Sequence, residues 1–474
     1  MQLQDIFILA LMLFFLRLIP SIRIKHIAVM LCAVVCIFKF QPALPIRGLD
    51  FTLPMLTILL TICVYGAFSK QNLIITKNNL IDAAVLIISI ILISATRFIS
   101  YDGILTASRP PQTGRILPGL LAGAGLAFLL NYLTQKDKKC PVHLCILFII
   151  MILVIVKTPQ ITLFFSRIAR TLNDQSTDMA LPTDIRWFGF SYIAFRLLSI
   201  LIDSSKGRKA AIGLGEFFVY VCFPPALSAG PIDRWDRFCK EYRAESKNSI
   251  AVDLYSGLGQ IALGMFHKFI LADALAKMAL SSQNSGQFIH KGWAWAALFA
   301  YALQIYFDFC GYSEIAVGLG VLFGIHLPKN FDHPYLKPNL TRFWSSWHIT
   351  LTQWIRSYVF NPLTRSLRGN KSRPLPKWLI ILITQLITML LIGLWHGVSV
   401  NFVIWGLWHG IGLFVHQFYS QKTGAWLRST HICFQKIYTV CSTLLTIIYV
   451  SLGWVWFVIP DFGDALKYFE RLFG

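Results

Sequence analysis

Thirteen apolar runs recur along this chain, at residues 6–20, 27–38, 51–68, 80–95, 116–133, 142–156, 187–202, 212–229, 254–280, 293–323, 378–395, 401–418 and 444–457. A helix needs about 20 mainly apolar residues to cross a bilayer, and in hydrocarbon its backbone polar groups must be satisfied internally. The runs therefore predict an all-α polytopic membrane protein with roughly 11–13 membrane helices. Some runs are too short or too long for one span, so that number includes re-entrant and interfacial pieces around a central cavity. Charged residues make up 14% of the chain, against roughly 25% in soluble domains. No stretch is long and polar enough for a separate soluble domain. The 474 residues read as one membrane domain: scaffold helices at 1–185, a functional core at 186–420 and C-terminal helices at 421–474.

The net charge is +21. In a soluble protein that balance would point to nucleic acid. Here the basic residues gather between apolar runs, at Arg23/Lys25, Lys70/Lys77, Lys136/Lys138/Lys139, Lys206/Arg208/Lys209 and Arg365/Arg368/Lys371/Arg373/Lys377. Such loops face the cytoplasm and anionic lipid, so membrane lipid and not nucleic acid is the expected partner. Placing the first three clusters in the cytoplasm puts the N-terminus outside, with Arg97, Arg109 and Arg115 counting against that orientation. A basic rim would also attract an acidic donor molecule. The first run reads as an uncleaved anchor, since its start is acidic and no small-residue cleavage site follows. The ten cysteines are scattered and none forms a CxxC pair. They read as small hydrophobes, with neither a disulfide framework nor a zinc cluster.

Polar groups enter the apolar runs from Trp187 onward: Arg196 and Asp203, then His267-Lys268, then Asp308. Each costs several kcal/mol at the bilayer centre unless paired or beside water, so together they imply a polar cavity. Two proline-rich segments, 223–239 and 328–364, are not simple spans. Irregular backbone at membrane depth survives where it is buried in protein or lines a cavity. Three Trp-His pairs stand in the last third of the chain: Trp347-His348, Trp395-His396 and Trp408-His409. The last two share the spelling LWHG. Histidine is the side chain that moves protons near neutral pH, and an intramembrane ionisable residue is a site candidate.

Three ordered stretches carry a family resemblance. Residues 304–322 read QIYFDFCGYSEIAVGLGVL, similar to a signature YFDFSGYSDMAIG. Residues 329–362 contain NFDHPYL and FWSSWHITLTQWIRSYVFNPL, similar to NFxxPY and FWRRWHISLSxWLRDYLYIPL. Residues 392–410 read IGLWHGVSVNFVIWGLWHG, similar to GLWHGASWNFVLWGLLHG. Together with weaker echoes at 189–203 and 223–232, the chain resembles the membrane-bound O-acyltransferase family over about half its length. The resemblance is to the bacterial branch that acylates cell-surface and secreted glycans, the alginate O-acetyltransferase-like and teichoic acid D-alanyltransferase-like proteins.

The resemblance implies that His396 is catalytic and that His348 is the second site histidine. Transfer from a thioester to a hydroxyl needs a base for the hydroxyl proton, which suits a neutral His396. His348 would orient the acceptor, bond the thioester carbonyl or support the base. Further cavity candidates are Trp347, Arg342, Trp395, Asn401, Asp308 and Tyr312. Asn401 either caps the following helix or lines the cavity. Asp308 and Tyr312 either line the cavity or form a buried pair with an arginine such as Arg196. His409 is expected to be structural, and no metal site is expected. The family's paired arginines are Ser345 and Ser346 here, and its aspartate is Ser357.

The implied activity is transfer of an acyl group, foremost acetyl, to an extracytoplasmic polysaccharide. The donor would be a cytoplasmic thioester, acetyl-CoA or an acyl carrier protein, with no bound cofactor. The implied setting is the bacterial inner membrane, with an extracytoplasmic partner completing the transfer. D-alanyl transfer from a carrier protein to teichoic acid is the alternative. A transporter or flippase using a buried proton relay is the rival of another class. It requires broken helices in both halves, whereas the irregular segments fall in the second half.

Overall fold

The computed structural model describes residues 3–69, 76–100, 103–136, 139–208, 212–244, 249–369 and 375–474. Lys70, Lys138, Lys209, Lys371 and Arg373 of the basic clusters lie outside these residues. The regular structure among the described residues is helical throughout. Eight helices there are long and apolar enough to cross a membrane: Leu49–Phe68, Lys77–Phe98, Thr113–Gln135, Cys140–Lys157, Ile250–Ala276, Lys291–Phe323, Lys377–His396 and Ile432–Val458. The chain is thus an all-α polytopic protein. Fewer helices qualify than the apolar runs predicted, because the remaining runs are short or too polar. Leu3–Arg17 has 15 residues, Phe190–Ser205 has 16 and Leu214–Val221 has 8. Ile22–Phe40 is long enough but carries Arg23, Lys25 and Lys39.

The chain divides into two compact units. The first comprises Met1–Ile261 and Ala316–Leu327. Its most enclosed membrane helix is Leu49–Phe68, which packs on Thr113–Gln135 at Gly66, where a Cβ would lie 2.5 Å from the Ala127 carbonyl oxygen. The Asn131 amide donates to the Gly66 and Ser69 carbonyls and the Thr134 hydroxyl to that of Ala67. These bonds serve carbonyls that a helix end leaves without an intrahelical partner. Asp184 closes the polar connection after Pro159–Thr171, accepting from Ser166 at 2.6 Å and Arg170 at 3.0 Å. Burial pushes the Asp184 carboxyl up, but these bonds and the Leu181 N–H outweigh it, leaving the group below its ordinary value.

Arg196 is 1% exposed. Its guanidinium donates to the carbonyls of Val221 at 2.8 Å, Ala226 at 2.5 Å and Pro231 at 3.4 Å. The segment FPPALSAGPI cannot satisfy its own carbonyls as a helix, since proline removes donors and breaks the ladder. Arg196 supplies the missing donors. The proposed pairing of Asp308 with Arg196 is therefore corrected: Asp308 is more than half exposed and meets Lys268 at 2.5 Å.

The second unit comprises Ala262–Ile315 and Pro328–Gly474. Its centre is the antiparallel pair Lys377–His396 and Val400–Ser429. Small residues let the two backbones approach, as in other membrane helix pairs. A Cβ on Gly393 would lie 2.3 Å from the Phe402 carbonyl oxygen, and one on Gly406 would lie 2.8 Å from that of Met389. A Gly393→Ala substitution is expected to cost about 1–3 kcal/mol by overpacking, read as a lower unfolding midpoint in detergent. Gly259→Ala meets nothing within 4 Å and serves as the control, with a midpoint unchanged or raised.

The proline-rich stretch 328–364 folds as short pieces: Pro334–Leu336, Leu340–Ser346, Ile349–Ile355, the π-helical Arg356–Phe360 and the start of Asn361–Gly369. Asn339 caps Leu340–Ser346 by accepting from the Arg342 N–H at 2.9 Å. Asn330 pins the next turn. Its carbonyl accepts from the Ile349 N–H at 2.8 Å and its side chain from the Thr350 hydroxyl at 2.6 Å.

Candidate functional site

The three Trp-His pairs occupy three different backbone settings. His348 precedes helix Ile349–Ile355 with φ +43°, left-handed for a residue that has a Cβ. Outside glycine that conformation is uncommon and costs roughly 1–2 kcal/mol. The Asn330 bonds to the two residues that follow, Ile349 and Thr350, hold it. His348 is buried, with the Phe309 ring edge-on at 4.7 Å. His396 is the last residue of helix Lys377–His396, because Gly397 leaves the helix with extended backbone. His396 is half-buried. Its ring meets Phe457 at 4.9 Å, Trp405 at 5.7 Å and Phe402 at 6.1 Å. His409 lies inside helix Val400–Ser429 and is fully enclosed. Its ring contacts Trp405 at 4.9 Å and Trp344 at 5.1 Å.

Trp395 is the indole common to the first two histidines. Its ring centroid lies 4.6 Å from His396 and 6.3 Å from His348. The structure thus assembles one centre from His348 and the helix end at Trp395-His396, with the Phe309, Phe402, Trp405 and Phe457 rings as walls. A half-buried imidazole near an enclosed one, in aromatic surroundings, can take a proton from a bound hydroxyl while little water competes. Gly410 explains why the second LWHG behaves differently: a Cβ there would crowd Leu386 at 3.0 Å. That glycine serves helix packing, whereas Gly397 ends a helix and leaves its histidine at the helix terminus.

The other expected site residues disperse. Trp347 is buried in an aromatic stack, 5.6 Å from Phe343 and 5.3 Å from Trp454. Asn401 does not cap its helix; its amide donates to the Ile459 carbonyl at 2.6 Å and ties two helices together. Arg342 is exposed, and the Ser345 hydroxyl donates to its carbonyl at 2.9 Å. Asp308 and half-buried Tyr312 lie four residues apart on helix Lys291–Phe323, hence on one face. Trp408 stacks on Tyr449 at 4.7 Å and exchanges hydrogen bonds with it, so that pair packs. Besides the walls Phe402, Trp405 and Phe457, the residues not anticipated as site formers include Asn330 and Phe309. Both stand inside the motif stretches, whose spelling alone gave no reason to single them out. Among the described residues, His267, Cys310 and Glu314 are the group of side chains close enough to share a metal ion. None of the three Trp-His histidines belongs to it.

A model of the membrane-bound O-acyltransferase family matches residues 142–455. The chain belongs to the membrane-bound O-acyltransferase family. It is accordingly a multi-pass membrane protein, and the matched region begins well before residue 186, where the core was expected to start. Both site histidines fall within it. Among relatives of the family, the peptidoglycan O-acetyltransferase of Helicobacter pylori is 34% identical over 55% of this chain and 46% of its own length. The teichoic acid D-alanyltransferase of Streptococcus thermophilus is 29% identical over 63% of this chain and 67% of its own. A protein named probable alginate O-acetylase AlgI from Pseudomonas aeruginosa is 31% identical over 60% of this chain and 51% of its own. The chain thus spans about half the length of the O-acetylating relatives.

Proposed function

We propose that this protein is an O-acyltransferase of the bacterial inner membrane. It moves an acetyl group from a cytoplasmic thioester, acetyl-CoA or an acyl carrier protein, to a hydroxyl of an extracytoplasmic polysaccharide. An extracytoplasmic partner would complete the modification. The observation that carries this reading is His396 at a helix end, half-buried, sharing Trp395 as a ring neighbour with His348. His396 removes the proton of the acceptor hydroxyl as its oxygen attacks the thioester carbonyl. The carbon–sulfur bond breaks, and the departing thiolate takes up a proton. His348 would donate to the carbonyl oxygen or support the base, and its left-handed backbone is the kind of strain that clusters at active sites. Transfer of D-alanine from a carrier protein is the second reading, favoured by the likeness to a teichoic acid D-alanyltransferase.

His348 separates chemistry from folding. His348→Gly deletes the ring and relieves the left-handed backbone, whereas His348→Ala deletes the ring and keeps the strain. The Gly variant is expected to be about 1 kcal/mol more stable than the Ala variant. Both are expected to lose acyl transfer at least tenfold in reconstituted vesicles. A Gly variant with full transfer activity would remove His348 from the site.

A further inference from the structure

A second cluster lies outside the Trp-His centre. His267 belongs to the π-helical turn Phe266–Ala272. Cys310 and Glu314 are four residues apart on helix Lys291–Phe323, hence on one face. The two elements cross with their backbones in near contact. A Cβ on Gly264 would lie 2.5 Å from the Gly311 carbonyl oxygen, and one on Gly311 would lie 2.5 Å from that of Gly264. This crossing brings His267 Nδ1 to 2.6 Å from Glu314 Oε2, and Cys310 Sγ to 3.6 Å from Glu314 Oε1. One ligand atom from each of the three residues lies within 4.8 Å of the other two. Cys310 is buried and the other two are half-buried. Single π-turns inside helices are rare and recur at functional sites, and this one carries His267 to the carboxylate.

We propose that His267, Cys310 and Glu314 bind one divalent transition-metal ion of the zinc class, with solvent supplying a fourth ligand. Imidazole, thiolate and carboxylate together are a zinc donor set, and the thiolate selects against magnesium and calcium. Tetrahedral bonds of about 2.0–2.3 Å place donors roughly 3.3–3.6 Å apart. Cys310 Sγ already stands at that separation from Glu314 Oε1, His267 Nδ1 has to move off Oε2 by about 1 Å to reach it, and the three ligand atoms start within 4.8 Å of one another. Charge favours the ion as well. A thiolate and a carboxylate neutralise a doubly charged cation, which suits a membrane helix where net charge is costly. The neighbouring Lys268 is paired with Asp308. On binding, the Cys310 S–H bond is replaced by a sulfur–metal bond, the thiol proton leaves to solvent, and no electron is transferred. Cys310 stands where the branch signature has serine, and Glu314 keeps the carboxylate of its aspartate. Sequence spacing hid the donor set, because His267 and Cys310 lie far apart along the chain.

The test uses the full-length protein in detergent, stripped with a chelator and titrated with Co2+ and then Zn2+. The wild type is expected to bind one equivalent of Co2+, with a thiolate-to-cobalt charge-transfer absorption that Zn2+ abolishes. Cys310→Ser, nearly isosteric, is expected to lose that absorption while keeping its elution profile. His267→Ala is expected to weaken Zn2+ binding at least tenfold. Absence of saturable Co2+ binding in the wild type overturns the proposal. So does a charge-transfer band that persists in Cys310→Ser, since the sulfur ligand would then be another cysteine. The site is independent of the acyl-transfer reading, because metal binding is measured without donor or acceptor.

Discussion

His396→Ala is expected to abolish acyl transfer while leaving a folded protein. His396 is the last residue of its helix and only half-buried, whereas His409 is fully enclosed, so losing the His396 ring opens a space that solvent already reaches. Its deletion should leave the unfolding midpoint within a few degrees of wild type. A positioned general base contributes roughly 10²–10⁴-fold to rate, and transfer should fall by that factor. His396→Gln keeps volume and hydrogen bonding without basicity and is expected to fail equally. The contrast is His409→Ala. That ring fills a space walled by Trp344, Trp405, Tyr449 and Trp454, so its loss should lower stability before it lowers the rate per folded molecule. Transfer measured per folded molecule separates the two histidines.

Arg196→Met is expected to produce the largest loss of stability of any single change considered. The methionine fills much of the volume but leaves the carbonyls of Val221, Ala226 and Pro231 without the donor they now share. An unsatisfied buried polar group costs about 1–3 kcal/mol, so three of them allow a loss of about 3–5 kcal/mol after partial relaxation. Against a total stability of roughly 5–15 kcal/mol, that should collapse the yield of monodisperse protein in detergent. Arg196→Lys offers one ammonium in place of a planar fork and should fall between. A methionine variant with a wild-type unfolding midpoint would contradict the role given to this side chain.

The fold class was legible because apolar runs constrain a membrane chain strongly: hydrocarbon leaves helices as the economical solution. That the proline-rich 328–364 stretch is no simple span was legible from the same backbone chemistry. Interhelical polar partners were not. Nothing local told Arg196 to bond three carbonyls instead of a carboxylate, or Asp308 to choose Lys268, because such choices depend on which helices cross and at what height. The Trp-His pairs show the boundary most clearly. Motif spelling placed His348 and His396 together, and the geometry makes them neighbours of one indole. The identical LWHG frames could be told apart only by backbone: Gly397 ends its helix, while Gly410 lets two helices pack. Trp347 and Asn401 look like site residues in sequence, yet one builds an aromatic stack and the other ties helices together.

The most direct test of the central claim is acyl transfer in proteoliposomes. Acyl-labelled thioester is supplied on the cytoplasmic face and a polysaccharide acceptor on the other, together with the extracytoplasmic partner. Thioester consumption and polysaccharide ester are measured together. If His396 is the base, label leaves the thioester and appears as hydroxyl ester on the acceptor with wild-type protein but not with His396→Ala. Equal transfer by the two proteins, or none by the wild type from either acetyl or D-alanyl donors, would contradict the claim.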